Sequence, residues 1–379
     1  MIKLLFLGEL DIHASAFLPF LSKHGYDVTV VNTSHWMFPD KIYGTDIPVY
    51  NFYKNSKIRL LFKGRLEWFR KSSLYSLAEK LQLAPEKIEQ LIKQKEVEMI
   101  YGSWGSHSLP EFRLIRKFNL PMVYEFLTYP TQIYNFAVKI ENIFNRNIIQ
   151  SLHGRILATE NMLSYMKNVF DIRHGKNLVF AECYPESFFY KKRLPRLSER
   201  DGQPHLIFIG MDVQDIFSQI KEIVRRKIHV HVCDTEEASR LKYNTGFLHT
   251  FRKFDYSQLF DGTFATFMTQ FDACLVTYNF EKASALERFH NSIPSRFSIA
   301  LTAGIPIIMP RGYLKGCEKI IKENLIGFTY ASYDELKNKL LNEELMGYIK
   351  KNAPQKVKQF TLENRFEIID RFLKRILEI

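Results

Sequence analysis

The chain of 379 residues has only four cysteines, Cys183, Cys233, Cys274 and Cys317, far apart and with no CxxC pair. That spacing excludes a disulfide framework and a cysteine zinc site, so the thiols read as small core residues. No apolar run reaches the roughly eighteen residues of a membrane-spanning helix, and the opening MIKLLFLGELDIHASAF meets Glu9 and Asp11 too soon for a secretory signal. A cytoplasmic location is expected. Gly8 stands alone after the first apolar run, without the GxGxxG of NAD and FAD dehydrogenases. No HxxxH, HExxH or DxD group appears either, so no metal and no other cofactor is expected.

Hydrophobic residues make up 46% and charged residues 25% of the chain, which is globular composition, and the length favours two domains over one. The formal charge of +12 calls for anionic partners. Nucleic acid is not expected, because no zinc finger, RNP-type aromatic motif or basic recognition helix is present. The densest basic stretch, KNSKIRLLFKGRLEWFRK at 54–71, interleaves seven Lys or Arg with Leu60, Leu61, Phe62, Leu66, Trp68 and Phe69. As a helix it either lies on an anionic membrane surface or turns its apolar stripe to the core.

Apolar runs ending in polar loops alternate with helical periodicity along the whole chain. IKLLFLG (2–8), a helix closed by Gly25 and DVTVVN (27–32) form a β-loop-α-β unit, and strands at 97–102, 121–126 and 154–160 continue it. Residues 184–204, rich in proline and charge, read as an interdomain linker. HLIFIG (205–210) then opens a second α/β unit, with strands HVHVCD (229–234) and FDACLVTYN (271–279). The final amphipathic helix, TLENRFEIIDRFLKRILEI, is expected to pack back on the first domain.

Ligands of open α/β sheets bind beyond the carboxyl ends of the strands. The polar residues expected there are Glu9, Asp11 and His13, then Ser103, Ser106 and His107, then Glu125 and Thr128, and Glu160 in the first half. In the second half the residues after the strands are Met211 and Asp212, Asp234 and Thr235, and Asn279 through Arg296. Asp11 is either a general base or merely the cap of the first helix, and His107 either binds a sugar or is incidental to a cap. HNSIPSRFSIALTAGIPIIMP (290–310) is a loop, helix and strand in which Ser292 or Ser295 caps, Pro294 sits in the first turn and Gly304 with Pro306 stops the helix. Arg296 and the first N–H groups then stand at a helix N-terminus, either as a phosphate site or as an ordinary solvated turn.

FLPFLSKHGYDVTVVN, FNLPMVYEF, GRILATENMLSYM, NSIPSRFSIALTAGIPIIMP and GFTYASYDELKNKL occur in an order and spacing that resemble the GT-B glycosyltransferases, most nearly glycosyltransferase family 4. The resemblance implies an α/β fold of two Rossmann-like doubly wound domains facing across a cleft. Residues 1–185 with the helix 356–379 would bind the acceptor, and 186–355 the nucleotide sugar. It implies a metal-independent hexosyltransferase-type enzyme, moving sugar from a nucleotide-diphosphate sugar to a glycan or lipid-linked glycan in surface polysaccharide or glycolipid assembly. Such an enzyme would sit peripherally on the inner face of the plasma membrane through 54–71.

With that activity, the residues expected at the strand ends divide into a catalytic set, Asp11, His13, His107 and Glu125, and a donor set. The donor set is Gly210, Asp234, Asn279, Glu287, Asn291, Ser292, Ser295 and Arg296, with Arg296 where the family has the lysine of its Pro-Ser-Lys motif. Two departures stand out. Ile299 and Asn291 occupy the positions of the family's ribose-binding glutamates, for which Glu281 and Glu287 are possible substitutes, and the usual Arg and Lys after the second domain's first strand are replaced by Met211 and Asp212. The alternative is therefore a catalytically silent sugar-nucleotide or glycan-binding subunit.

Overall fold

A computed structural model describes residues 1–33, 41–42, 44–52, 84–104, 109–210, 213–234 and 246–378. The chain divides into two compact units, Met1–Ala181 with Glu367–Ile379, and Glu182–Phe366.

The first unit is built on seven parallel strands: β1 (Ile2–Gly8), β2 (Tyr26–Asn32), β3 (Val49–Tyr50), β4 (Met99–Trp104), β5 (Met122–Phe126), β6 (Gly154–Leu157) and β7 (Lys176–Val179). They lie in the order β3-β2-β1-β4-β5-β6-β7. The strands are apolar without alternation because helices cover both faces of a doubly wound parallel sheet. The order reverses between β1 and β4, where such sheets open a crevice for ligand at their carboxyl ends. The end of the Leu362–Ile376 helix belongs to this unit. Tyr26 donates its hydroxyl to Asp370 at 2.9 Å, Lys176 donates to the Arg375 carbonyl, and Ile376 fills the space beside Gly154.

The second unit repeats the plan with β8 (His205–Phe208), β9 (His229–Cys233), β10 (Leu248–Phe251), β11 (Ala273–Leu275), β12 (Ile307–Pro310) and β13 (Gly327–Tyr330), ordered β10-β9-β8-β11-β12-β13. Its reversal falls between β8 and β11. Phe208, Val230, Val232, Leu275, Ile308 and Leu336 form its core.

Three local expectations are corrected. Residues 184–204 are no free linker: the amides of Lys191 and Leu194 donate to the Thr266 and Thr269 hydroxyls, both at 2.9 Å, and Leu197 donates to the Gln270 carbonyl at 2.9 Å. Proline and charge marked a strap laid along the second unit, whose own Phe188 is buried. Ser103 and Glu125 lie within β4 and β5 rather than in the loops after them. Neither Ser292 nor Ser295 caps the Ser295–Ala303 helix, whose N-cap is Pro294, with no side chain accepting from the first turn. Proline takes the extended dihedral an N-cap needs but has no side-chain acceptor. The stop is as expected, with Gly304 left-handed at φ 59.

Candidate functional site

In the first unit, β1 ends at Gly8 and the Ile12–Lys23 helix begins at the order reversal. Asp11 is the N-cap of that helix, its Oδ1 accepting from the Ala14 amide at 2.7 Å. Its carboxyl pKa is raised, first by burial; His13 and the Ala14 amide oppose the rise, and the Glu125 charge adds to it. Two residues on, in the first turn, His13 Nε2 lies 2.8 Å from Glu125 Oε2, and both side chains are 1% exposed. Tyr101 of β4 donates its hydroxyl to the same Glu125 oxygen. Phe17 stacks on the His13 ring at 5.6 Å.

The result is a carboxylate at a helix cap standing over an enclosed His–Glu–Tyr group. Asp11, His13 and Glu125 are brought together. Tyr101 is an addition that sequence position did not single out, because it sits mid-strand, though parallel β4–β5 pairing puts it opposite Val123 and two residues from Glu125's partner Ser103.

In the second unit, Arg296 is the centre. Its Nη1 donates to the Thr277 carbonyl at 2.8 Å, and its guanidinium carbon stands 4.0 Å from the Tyr278 ring centroid and 5.1 Å from that of Phe208. Among the described residues no carboxylate pairs with it. A half-buried guanidinium held between two rings keeps most of its five donors for a ligand. Gly210 belongs here for a steric reason, since a Cβ would meet the Phe208 ring at 2.4 Å and Arg296 Nη1 at 2.9 Å. Gln219 fixes the loop, donating to the Tyr278 carbonyl at 2.8 Å and accepting from the Thr277 hydroxyl at 2.7 Å.

The other donor-side residues divide. Ser295 is exposed in the first turn behind Pro294, while Asn291 and Ser292 are buried just before it. The Ser292 hydroxyl and Glu287 Oε2 are buried atoms with no hydrogen-bond partner among the described residues. Asn279 is committed to the Asp215 carbonyl at 2.9 Å, so its amide ties the loop down. Asp234 follows β9 and is exposed, its amide bound to the Phe251 carbonyl at 2.7 Å. Glu160 opens the Glu160–Val169 helix, away from the order reversal. Ile299 lies half-buried on the Ser295–Ala303 helix and offers no oxygen to a ribose. His107, Ser106, Met211, Asp212, Thr235 and the 54–71 stretch lie outside the described residues.

No protein-family model matches the chain, and no curated protein matches it. Solved structures do. A sucrose-phosphate synthase from Thermosynechococcus elongatus superposes with a TM-score of 0.70 at 12% identity, covering 100% of both chains. Anabaena Alr3699/HepE, solved with UDP-glucose, gives 0.64 at 13% identity over 100% of both chains. The lipopolysaccharide outer core galactosyltransferase WaaB gives 0.61 at 13% identity, covering 98% of this chain and 99% of that one. At such identities the likeness is one of fold, and the fold is that of the GT-B glycosyltransferases.

Proposed function

We propose that this GT-B chain is a family 4-like, metal-independent glycosyltransferase that moves a hexosyl group from a nucleotide-diphosphate sugar to an acceptor hydroxyl. Its acceptor is a glycan or lipid-linked glycan of a surface polysaccharide or glycolipid, met at the inner face of the plasma membrane. The charge of +12 and the basic 54–71 stretch support that setting. The observation that carries the reading is Arg296, a guanidinium with no carboxylate partner among the described residues, at the order reversal of the second sheet and at the start of an uncapped helix.

As the sugar–phosphate bond breaks, negative charge gathers on the leaving diphosphate. Arg296 donates to its oxygens, with the Ser295 and Arg296 amides at the start of the helix beside it, and both are oriented before the reaction begins. Asp11 takes the proton of the attacking hydroxyl. Burial has already raised its affinity for that proton, and the Glu125 carboxylate beneath adds to it. His13, 2.8 Å from Glu125, is a positioning residue that holds that carboxylate in place.

HepE carries UDP-glucose, so UDP-glucose is the first donor to assay. Arg296→Ala is expected to lower turnover about 10²–10³-fold, the loss typical of one transition-state donor, and undiminished turnover removes Arg296 from the mechanism. One observation favours a second reading, a silent nucleotide-binding subunit: Ile299 and Asn291 leave no carboxylate for the ribose at those positions. Saturable nucleotide binding without product, across a panel of donors and acceptors, decides for it.

A further inference from the structure

Four of the eleven histidines meet at the opposite, amino-terminal edge of the second sheet. Parallel pairing sets His205 of β8 against His229 of β9, and His231 of β9 against His249 of β10. Residues 229 and 231 share a face because side chains alternate along a strand, so all four imidazoles lie together. The His205 and His229 rings stack at 4.2 Å and 6°. Phe247 packs on His229 at 4.6 Å, and Phe271 on His231 at 4.8 Å.

Asp201 closes the group. Its Oδ1 accepts from the Gln203 amide at 2.9 Å, which turns Oδ2 toward two ring nitrogens, His205 Nε2 at 2.9 Å and His229 Nε2 at 3.3 Å. These three atoms all lie within 4.8 Å of one another. Ligand atoms around a tetrahedral zinc, with bonds of about 2.0–2.2 Å, stand roughly 3.3–3.5 Å apart, so the three are near enough to share an ion once the stacked His205 and His229 rings tilt toward it, because a ring nitrogen coordinates in the plane of its ring. The outer nitrogens are also provided for. His205 Nδ1 lies 2.9 Å from His231 Nε2, and His229 Nδ1 lies 2.8 Å from His249 Nε2. A metal-bound imidazole needs an acceptor for its second N–H, and here each has another imidazole to receive it. Asp201 is 40% exposed, against 7% for His205 and 11% for His229, so solvent reaches the carboxylate side, where a fourth ligand would be water.

We propose that Asp201, His205 and His229 bind one divalent transition metal of the zinc class through Oδ2 and the two Nε2 atoms, with His231 and His249 as positioning residues. Two imidazoles and one carboxylate select such a metal over magnesium or calcium, which prefer all-oxygen sites. Lying at the amino edge of β8 and β9, the site is separate from Arg296 and takes no part in sugar transfer. Binding rearranges protons without requiring net release. Without metal, His205 Nε2–H donates to Asp201, His229 Nε2–H faces the same oxygen at 3.3 Å, and both Nδ1 atoms accept from the Nε2–H of His231 and His249; with metal, Nε2 coordinates, Nδ1–H donates to those Nε2 atoms, and His231 and His249 carry their own protons on Nδ1.

The test titrates ZnCl2 into the tag-free, chelator-stripped full chain and follows the histidines by long-range ¹H–¹⁵N correlation. The expected result is one saturable equivalent, with His205 and His229 passing from the Nε2–H to the Nδ1–H form. Asp201→Asn and His229→Gln should each weaken binding at least tenfold, and His249→Phe about 10–100-fold, as outer hydrogen-bond partners do. Asp201→Asn should leave transfer from the donor unchanged. Absence of a one-equivalent isotherm, an unchanged tautomer pattern at saturation, or undiminished affinity in the Asp201→Asn/His229→Gln double variant each overturns the assignment.

Discussion

Asp11 carries two duties on one carboxylate, and a single substitution separates them. Asn caps a helix about as well as Asp, so Asp11→Asn keeps the bond from the Ala14 amide and loses only the proton acceptor. Turnover is expected to fall about 10²–10⁴-fold, the range for a general base, with nucleotide binding unchanged. Stability should move the other way. The folded-state pKa is raised, chiefly by burial, so this carboxyl's contribution to stability is present below the unfolded value and lost as pH rises through the folded one. Asn has no charge to bury, so melting curves of the variant at pH 7 should lie at or above those of the native chain and converge with them toward pH 4. A variant less stable at pH 7, or as active, contradicts the assignment. The sequence exposed Asp11 and His13 because they follow the first apolar run. It did not expose Tyr101, since a residue inside a buried strand carries no local mark of what it faces across the sheet.

At the scale of elements, the Ser295–Ala303 helix was legible at its end and not at its start. A glycine followed by Pro306 admits few conformations, whereas Ser292, Pro294 and Ser295 all suit a helix entrance, and in the folded chain the cap is Pro294. Pro294 leaves the first-turn donors without a side-chain partner. Pro294→Asp supplies one and is expected to stabilise the chain by about 1 kcal/mol, the usual value of an N-cap. The same carboxylate would stand where the donor diphosphate is proposed to bind, competing for its amides and repelling its charge. Calorimetry should therefore show a higher melting temperature together with nucleotide-diphosphate affinity lower by tenfold or more. Greater stability with unaltered affinity would mean that this helix start does not hold the phosphates. The His205, His229, His231 and His249 group was hidden for a related reason. Metal motifs are recognised by close spacing, and here strand register brings His205 and His249 from two other strands to the His229–His231 pair.

For the whole molecule, the strand–helix alternation was legible because each buried parallel strand is a short apolar run between polar or glycine-rich turns, and that pattern is shared with proteins of the same fold at only 12–13% identity. What the pattern conceals is how the chain's last residues are shared. The Leu362–Ile376 helix starts in the second unit, where the Leu362 amide donates to the Tyr184 carbonyl at 3.0 Å and the Glu363 carboxylate accepts from the Glu186 amide at 2.9 Å. Its end belongs to the first unit, through Asp370 and Ile376. Deleting residues 367–379 removes only that end: Tyr26, 1% exposed, loses its acceptor, and the apolar packing beside Gly154 is lost. The second unit keeps its own six-stranded sheet and core, so its melting transition and its nucleotide binding should persist while the first unit's transition drops. Tyr26→Phe is the mild control, expected to lower only the first unit's stability by about 0.5–1.5 kcal/mol, the net worth of one hydrogen bond. Calorimetry with and without nucleotide resolves the two transitions, and an equal fall in both on truncation would show that the units do not unfold as separate bodies.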